Sequence, residues 1–114
     1  MPIASQLHPL LHDADFTRIP ESQTVGLGLD AVFHCQHRGA LSIGWLVNGV
    51  PENRLNDSGM FIKSGNYRDQ DNSLVYTLTI LARPEYNGTM VECVAPFLNG
   101  PAQRSPPVTL TIEG

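Results

Sequence analysis

The side chains with the most chemistry to offer are Cys35 and Cys93. Taken alone they read either as two buried thiols, the default in an arbitrary intracellular chain, or as an oxidised pair. Their surroundings must decide. Four histidines invite a metal test. His8 and His12 stand four apart near Asp13 and Asp15, a spacing at which a helix can chelate zinc, but Pro9 and the irregular pattern argue against a helix there. His34 and His37 flank Cys35, with His34 on the parity that points away from the apolar side, and the chain holds no C-x-x-C and no H-E-x-x-H. Asp69-Gln70-Asp71 offers carboxylates to calcium, yet sits in a polar loop where water solvates them. Gly26-Leu27-Gly28-Leu29-Asp30-Ala31 fits G-x-G-x-x-A, but dinucleotide binding needs a helix N-terminus to follow, and AVFHC follows, which reads as a strand. No G-x-S-x-G occurs and no serine is singled out beside a histidine and an aspartate. The expectation is no catalytic residue, no cofactor and no metal. Asn56-Asp57-Ser58 and Asn87-Gly88-Thr89 both satisfy the N-glycosylation pattern and both fall in expected turns. Asn87 also has a competing structural use, ordering the turn before the next strand.

The elements that must position these residues are short strands separated by turn clusters at roughly 8–12-residue intervals. Residues 1–15 show no clean period and read as a loose lead-in. The segment 16–25 is an edge, broken at Pro20, which has no amide hydrogen to give a ladder. Ala31, Phe33 and Cys35 then share one parity, and strands place alternate residues on opposite faces. Ile43, Trp45 and Val47 repeat the pattern. Asn48-Gly49 follows, a pair that tolerates the positive φ angles of a tight hairpin turn, so the chain is expected to double back through residues 50–55. Residues 56–73 are mostly polar, with a short apolar stretch at 60–62 as an edge strand. LVYTLTIL, residues 74–81, is the clearest strand: Leu74, Tyr76, Leu78 and Ile80 on one face, Val75, Thr77 and Thr79 on the other. Val91, Cys93 and Ala95 point inward from a strand over residues 89–95. Asn99-Gly100-Pro101 marks another turn, and residues 108–112 supply the last strand. No 3.6-residue apolar period persists long enough for a helix.

Cys35, Trp45 ten residues on, and Cys93 all fall on the apolar parity. This spacing, with VFHC as the second strand, IGWLVNG the third, LVYTLTI the fifth, NGTMVEC the sixth and SPPVTLTI the last, resembles the immunoglobulin superfamily over about residues 16–113, nearly the whole chain. The resemblance implies an all-β, Greek-key β-sandwich of two antiparallel sheets. It implies a Cys35–Cys93 disulfide across the core with Trp45 against it, and Phe33, Leu78, Ile80 and Val91 as further core residues. An oxidising compartment follows from the disulfide. One departure stands out. Where the family carries Asp-x-Gly/Ala-x-Tyr-x-Cys, this chain has Asn87, Thr89 and Val91, so the usual tyrosine hydroxyl bond and aspartate salt bridge are missing. With a cysteine spacing short for a variable domain, an intermediate or constant-2-like set fits better, while residues 50–73 leave room for the extra edge strand of a variable-like domain.

The bulk numbers bound the rest. One hundred and fourteen residues make one domain, and nine prolines with ten glycines suit a chain of frequent turns. The net charge is −4, and the seven basic residues are scattered, which argues against nucleic acid and against anionic lipid. No apolar run of about twenty residues spans a membrane. The start does not read as a signal peptide, and the chain is taken as a segment of a longer protein with adjacent domains. Recognition of a protein, another or an identical copy, is the expected role, in an extracellular or cell-surface setting. Two surfaces are expected to carry it. One is the sheet face bearing Leu46, Met90 and Val94, apolar residues on an outward parity. The other is the 96–105 loop, with Phe97 and Leu98. The rival readings are a spacer in a multi-domain rod and an intracellular muscle-type scaffold module.

Overall fold

The computed structural model describes residues 16–38, 40, 42–58, 62–70, 73–95 and 101–114. Its strands are β1 (Phe16–Arg18), β2 (Gln23–Gly26), β3 (Asp30–His37), β4 (Gly44–Val47), β5 (Val50–Pro51), β6 (Ile62–Arg68), β7 (Leu74–Leu81), β8 (Met90–Ala95), β9 (Gln103–Arg104) and β10 (Val108–Glu113), with 3₁₀ turns at Glu52–Ser58 and Pro84–Tyr86. They form two sheets. One has four strands in the order β1-β3-β7-β6; the other has six, ordered β2-β10-β8-β4-β5 with β9 also on β8. The chain crosses between the sheets after β1, β2, β3, β5 and β7, which makes the all-β sandwich expected from sequence.

The first segment divides between the sheets at the proline. β1 pairs antiparallel with β3, whereas β2 runs parallel to β10 from Gln23↔Leu110 to Gly26↔Glu113. Pro20, buried between them, cannot donate to either ladder, so pairing breaks around it and restarts three residues on, at Gln23. Ser22 Oγ accepts the Thr109 amide at 3.1 Å and begins the new edge. This parallel pair is the one exception to antiparallel pairing among the described strands.

The core follows from period two. Ala31, Phe33 and Cys35 of β3, Leu78 and Ile80 of β7, Val91, Cys93 and Ala95 of β8 and Leu110 of β10 are fully buried, with Trp45 and Val47 of β4 nearly so. Each large apolar side chain removed from water in this way stabilises the fold by ~1.5–3 kcal/mol. Cys35 and Cys93 are joined, with Cα atoms 6.4 Å apart, linking the two sheets. Trp45 is the direct cross-strand neighbour of Cys93, and both point inward. The turn after β4 has the expected left-handed pair, Asn48 at φ 52° and Gly49 at φ 81°. Asn48 is also stitched to β8: its amide donates to the Met90 carbonyl at 2.8 Å, and its Oδ1 accepts the Met90 amide at 2.9 Å.

Three expectations are corrected. The chain doubles back for Val50 and Pro51 only, then enters the 3₁₀ turn; ENRLNDS has no alternation to hold a strand, and Leu55 turns inward. The edge strand is Ile62–Arg68 rather than residues 60–62, of which 60 and 61 lie outside the described residues. Beyond the half-buried Ile62 it is exposed throughout, so no burial imposes an apolar alternation on its sequence. Val75, placed on the outward face, is 3% exposed. Its cross-strand partners are Gln36 and Tyr67, long side chains on the same face of the sheet. Residues 1–15 lie outside the described residues.

Candidate functional site

The exposed face of the six-stranded sheet is built around β4 and β8. Gly44 pairs with Val94, and Val94 in turn with Arg104; Pro51 pairs with Leu46, and Leu46 with Glu92. The parity that buries Trp45, Val47, Val91 and Cys93 necessarily turns Gly44, Leu46, Met90, Glu92 and Val94 outward. A Cβ at Gly44 would meet nothing within 4 Å. Gly44 lies in an open notch of about 450 Å³, lined also by Leu46, Pro51, Val94, Ala102 and Arg104. At its rim Arg104 donates to Glu92 Oε2 from Nη2 at 2.7 Å and from Nε at 3.1 Å, which ties the guanidinium to β8. Met90, 45% exposed, lies further along the same face beside the Asn48 turn. Leu46, Met90 and Val94 are thus brought to one face. Phe97 and Leu98 lie outside the described residues.

The strand after the notch is held by an arrangement the sequence did not announce. Pro106 and Pro107 have no amides to give, and they separate β9 from β10. Ser105, buried at this break, replaces the lost ladder: its amide donates to the Cys93 carbonyl at 2.9 Å, and its Oγ accepts the Cys93 amide at 2.9 Å. One serine thereby ties the loop leading back from the 96–105 region to the disulfide-bearing strand.

His37 is fully buried at the end of β3, as the alternation two residues on from Cys35 allows. Its Nδ1 accepts the Ala40 amide at 2.9 Å, so Nε2 carries the proton and donates to Gln103 Oε1 at 2.8 Å. The Phe16 ring meets it edge-on with centroids 4.9 Å apart. His37 therefore joins β1, β3 and β9 as a structural crosspiece, and both ring nitrogens are engaged by protein groups. Asp69 is likewise committed: its Oδ1 accepts the Ser73 amide at 3.1 Å and its Oδ2 accepts from Gln36 Nε2. Asp71 lies outside the described residues. Among the described residues no three His, Cys, Asp or Glu side chains converge as a metal site would require, and no helix is long and apolar enough to cross a membrane.

His34 faces outward over a polar notch with Arg18, Glu21, Gln23 and Val32. Burial, reinforced by the Arg18 guanidinium, lowers its imidazole below the ordinary 6.5. A depressed folded value means the unfolded chain takes up the proton first. Its effect on stability is therefore absent above about pH 6.5 and becomes a loss as pH falls from there through the lower folded value. Wild type is expected to lose more thermal stability than His34→Gln between about pH 7.5 and about pH 5, by a small margin because the ring is partly exposed. Parallel curves for the two proteins would contradict this.

The glycosylation candidates differ. Asn56 lies in the Glu52–Ser58 turn. Asn87 is exposed after the Pro84–Tyr86 turn, and its Oδ1 accepts the Ile112 amide at 2.8 Å, extending the β8–β10 ladder. That bond leaves Nδ2, the atom a glycan would take, without a partner among the described residues. Thr89 is buried and donates its hydroxyl to the Tyr86 carbonyl at 2.6 Å. It holds the turn together where the family's tyrosine is replaced by the inward Val91.

Two β-ladder sheets, strand order β1-β3-β7-β6 against β2-β10-β8-β4-β5, bridged by Cys35–Cys93 beside one tryptophan, make this chain an immunoglobulin-like domain. The tandem Ig repeats of Dlar share the fold at a TM-score of 0.65 and 28% identity, over 85% of this chain and 46% of that one. The N-terminal eight Ig domains of Down Syndrome Cell Adhesion Molecule match at 0.65 and 17% identity, over 87% of this chain and 12% of that one. The titin M3 domain matches at 0.60 and 15% identity, over 87% of this chain and 95% of that one. The chain thus spans less than half the length of the first two. No protein-family model and no curated protein sequence matches it.

Proposed function

We propose that this domain is a protein-recognition module of a cell-surface adhesion molecule or receptor, one of several domains in its parent chain, and that it binds through the outer face of the six-stranded sheet. The observation that carries the reading is the notch at Gly44. It is apolar, open to water, walled by Leu46 and Val94, and edged by a fixed Arg104–Glu92 pair. An apolar pocket with a charged rim is the anatomy of a recognition surface, in which a few buried anchors supply most of the binding energy. Adhesion-molecule domains among the structural relatives, and a disulfide, support an extracellular setting. Asn56 and Asn87 are the proposed glycan acceptors in that setting.

The test is an unbiased binding screen of the oligomerised domain against an array of ectodomains, the domain itself included. A partner whose affinity falls tenfold or more, roughly the value of one anchor residue, on Val94→Arg is the expected result. A partner insensitive to Val94→Arg and to Leu46→Glu would reject this face. The titin match favours a second reading, a spacer or scaffold module without its own ligand. A screen without binders would favour that one.

A further inference from the structure

The turn joining β2 to β3, residues 26–29, is held with unusual completeness. Gly28 supplies the positive φ of 84° that the turn requires. The Leu29 amide closes the turn on the Gly26 carbonyl at 3.1 Å, the Leu27 amide donates to the Glu113 carbonyl at 2.8 Å, and the Gly28 amide donates to the Ala82 carbonyl at 2.9 Å. The Ala82 amide returns a bond to the Leu29 carbonyl at 2.8 Å. The loop is thereby clamped to the end of β10 and to the residue after β7. What it displays is apolar: Leu27 is 50% and Leu29 61% exposed. Turns in water favour polar residues and glycine, so two leucines on a rigid turn are a cost without return in the isolated domain.

Their position says what would cover them. A Cβ built on Gly114 would stand 3.3 Å from the Leu27 Cβ, so the last residue passes directly against Leu27, and any chain continuing beyond it starts in contact with this turn. We propose that Leu27 and Leu29 are the seat of a second β-sandwich domain joined in tandem after Gly114, and that they fix its orientation. This rests on the multi-domain reading given above. Tandem domains move independently by default unless an apolar contact holds them. A turn whose backbone is already held by four bonds has little backbone freedom left to lose when it is covered.

The experiment uses the parent protein's segment from this domain through the one that follows, wild type and Leu27→Ser/Leu29→Ser, with amide ¹⁵N relaxation reporting the tumbling of each half. Wild type is expected to tumble as one body, and the double variant to split into two independently tumbling halves. In the single domain the same double variant is expected to leave the urea midpoint unchanged, because neither side chain is part of the core. Independent tumbling in wild type would overturn the seat while leaving the multi-domain reading intact. A parent chain with no domain after Gly114 would overturn the seat, and one with no other domain at all would overturn the multi-domain reading with it. Self-association of the single domain, abolished by the double variant, would reassign the turn to a second copy of this chain.

Discussion

Replacing Cys35 and Cys93 together by alanine lowers the unfolding free energy by about 4 kcal/mol, the loop-entropy value for a closed loop of this length. The two cysteines are 58 positions apart, so the bridge removes much of the freedom of the unfolded chain between β3 and β8. That loss is a large part of the ~5–15 kcal/mol by which a domain of this size is stable. Urea unfolding should show both a lower midpoint and a steeper dependence on denaturant, because the unbridged unfolded chain exposes more surface. A loss under about 1 kcal/mol would mean that the bridge restrains little.

Trp45→Ala is the second large effect, about 3–5 kcal/mol. The indole is 1% exposed and lies across from Cys93, between the sheets that the disulfide joins. Its Nε1 has no hydrogen-bond partner among the described residues. Trp45→Phe therefore sacrifices no hydrogen bond, relieves a buried polar group, and is expected to cost less than half as much as alanine. Because Trp45 is the sole tryptophan, unfolding of these variants must be followed by circular dichroism. Phenylalanine and alanine costing the same would place the stabilisation outside the packing of the ring. Trp45 and Cys93 are direct neighbours, so combining the tryptophan and cysteine variants should depart from additivity.

What the sequence revealed divides along a physical line. Where one face of a strand is buried, the alternation is written in the residues. Leu74–Leu81 falls where expected, and so do the inward sets of β3, β4 and β8. The Asn48-Gly49 turn was legible because few residue pairs accept its backbone angles. The long edge strand β6 was not, because it buries almost nothing and its sequence is free to be polar. The parallel pairing of β2 with β10 depends on contacts some ninety residues apart, and only Pro20 hinted at the break that permits it. The same holds at the candidate site. Outward parity brought out Leu46, Met90 and Val94, but the notch requires the registers of β4, β8 and β9 to set Gly44, Val94 and Arg104 in a row. The inward position of His37 could have been read two residues on from Cys35. Its acceptor Gln103, 66 positions away, could not.

The most direct test of the recognition account is amide hydrogen exchange on the domain with and without the partner found by the screen. The account predicts added protection confined to the outer sheet, in β4, β5, β8 and β9 around Gly44, Val94 and Arg104, with β6 and β7 exchanging as before. Protection centred on β6 and β7, with the Gly44 notch unchanged, would contradict it.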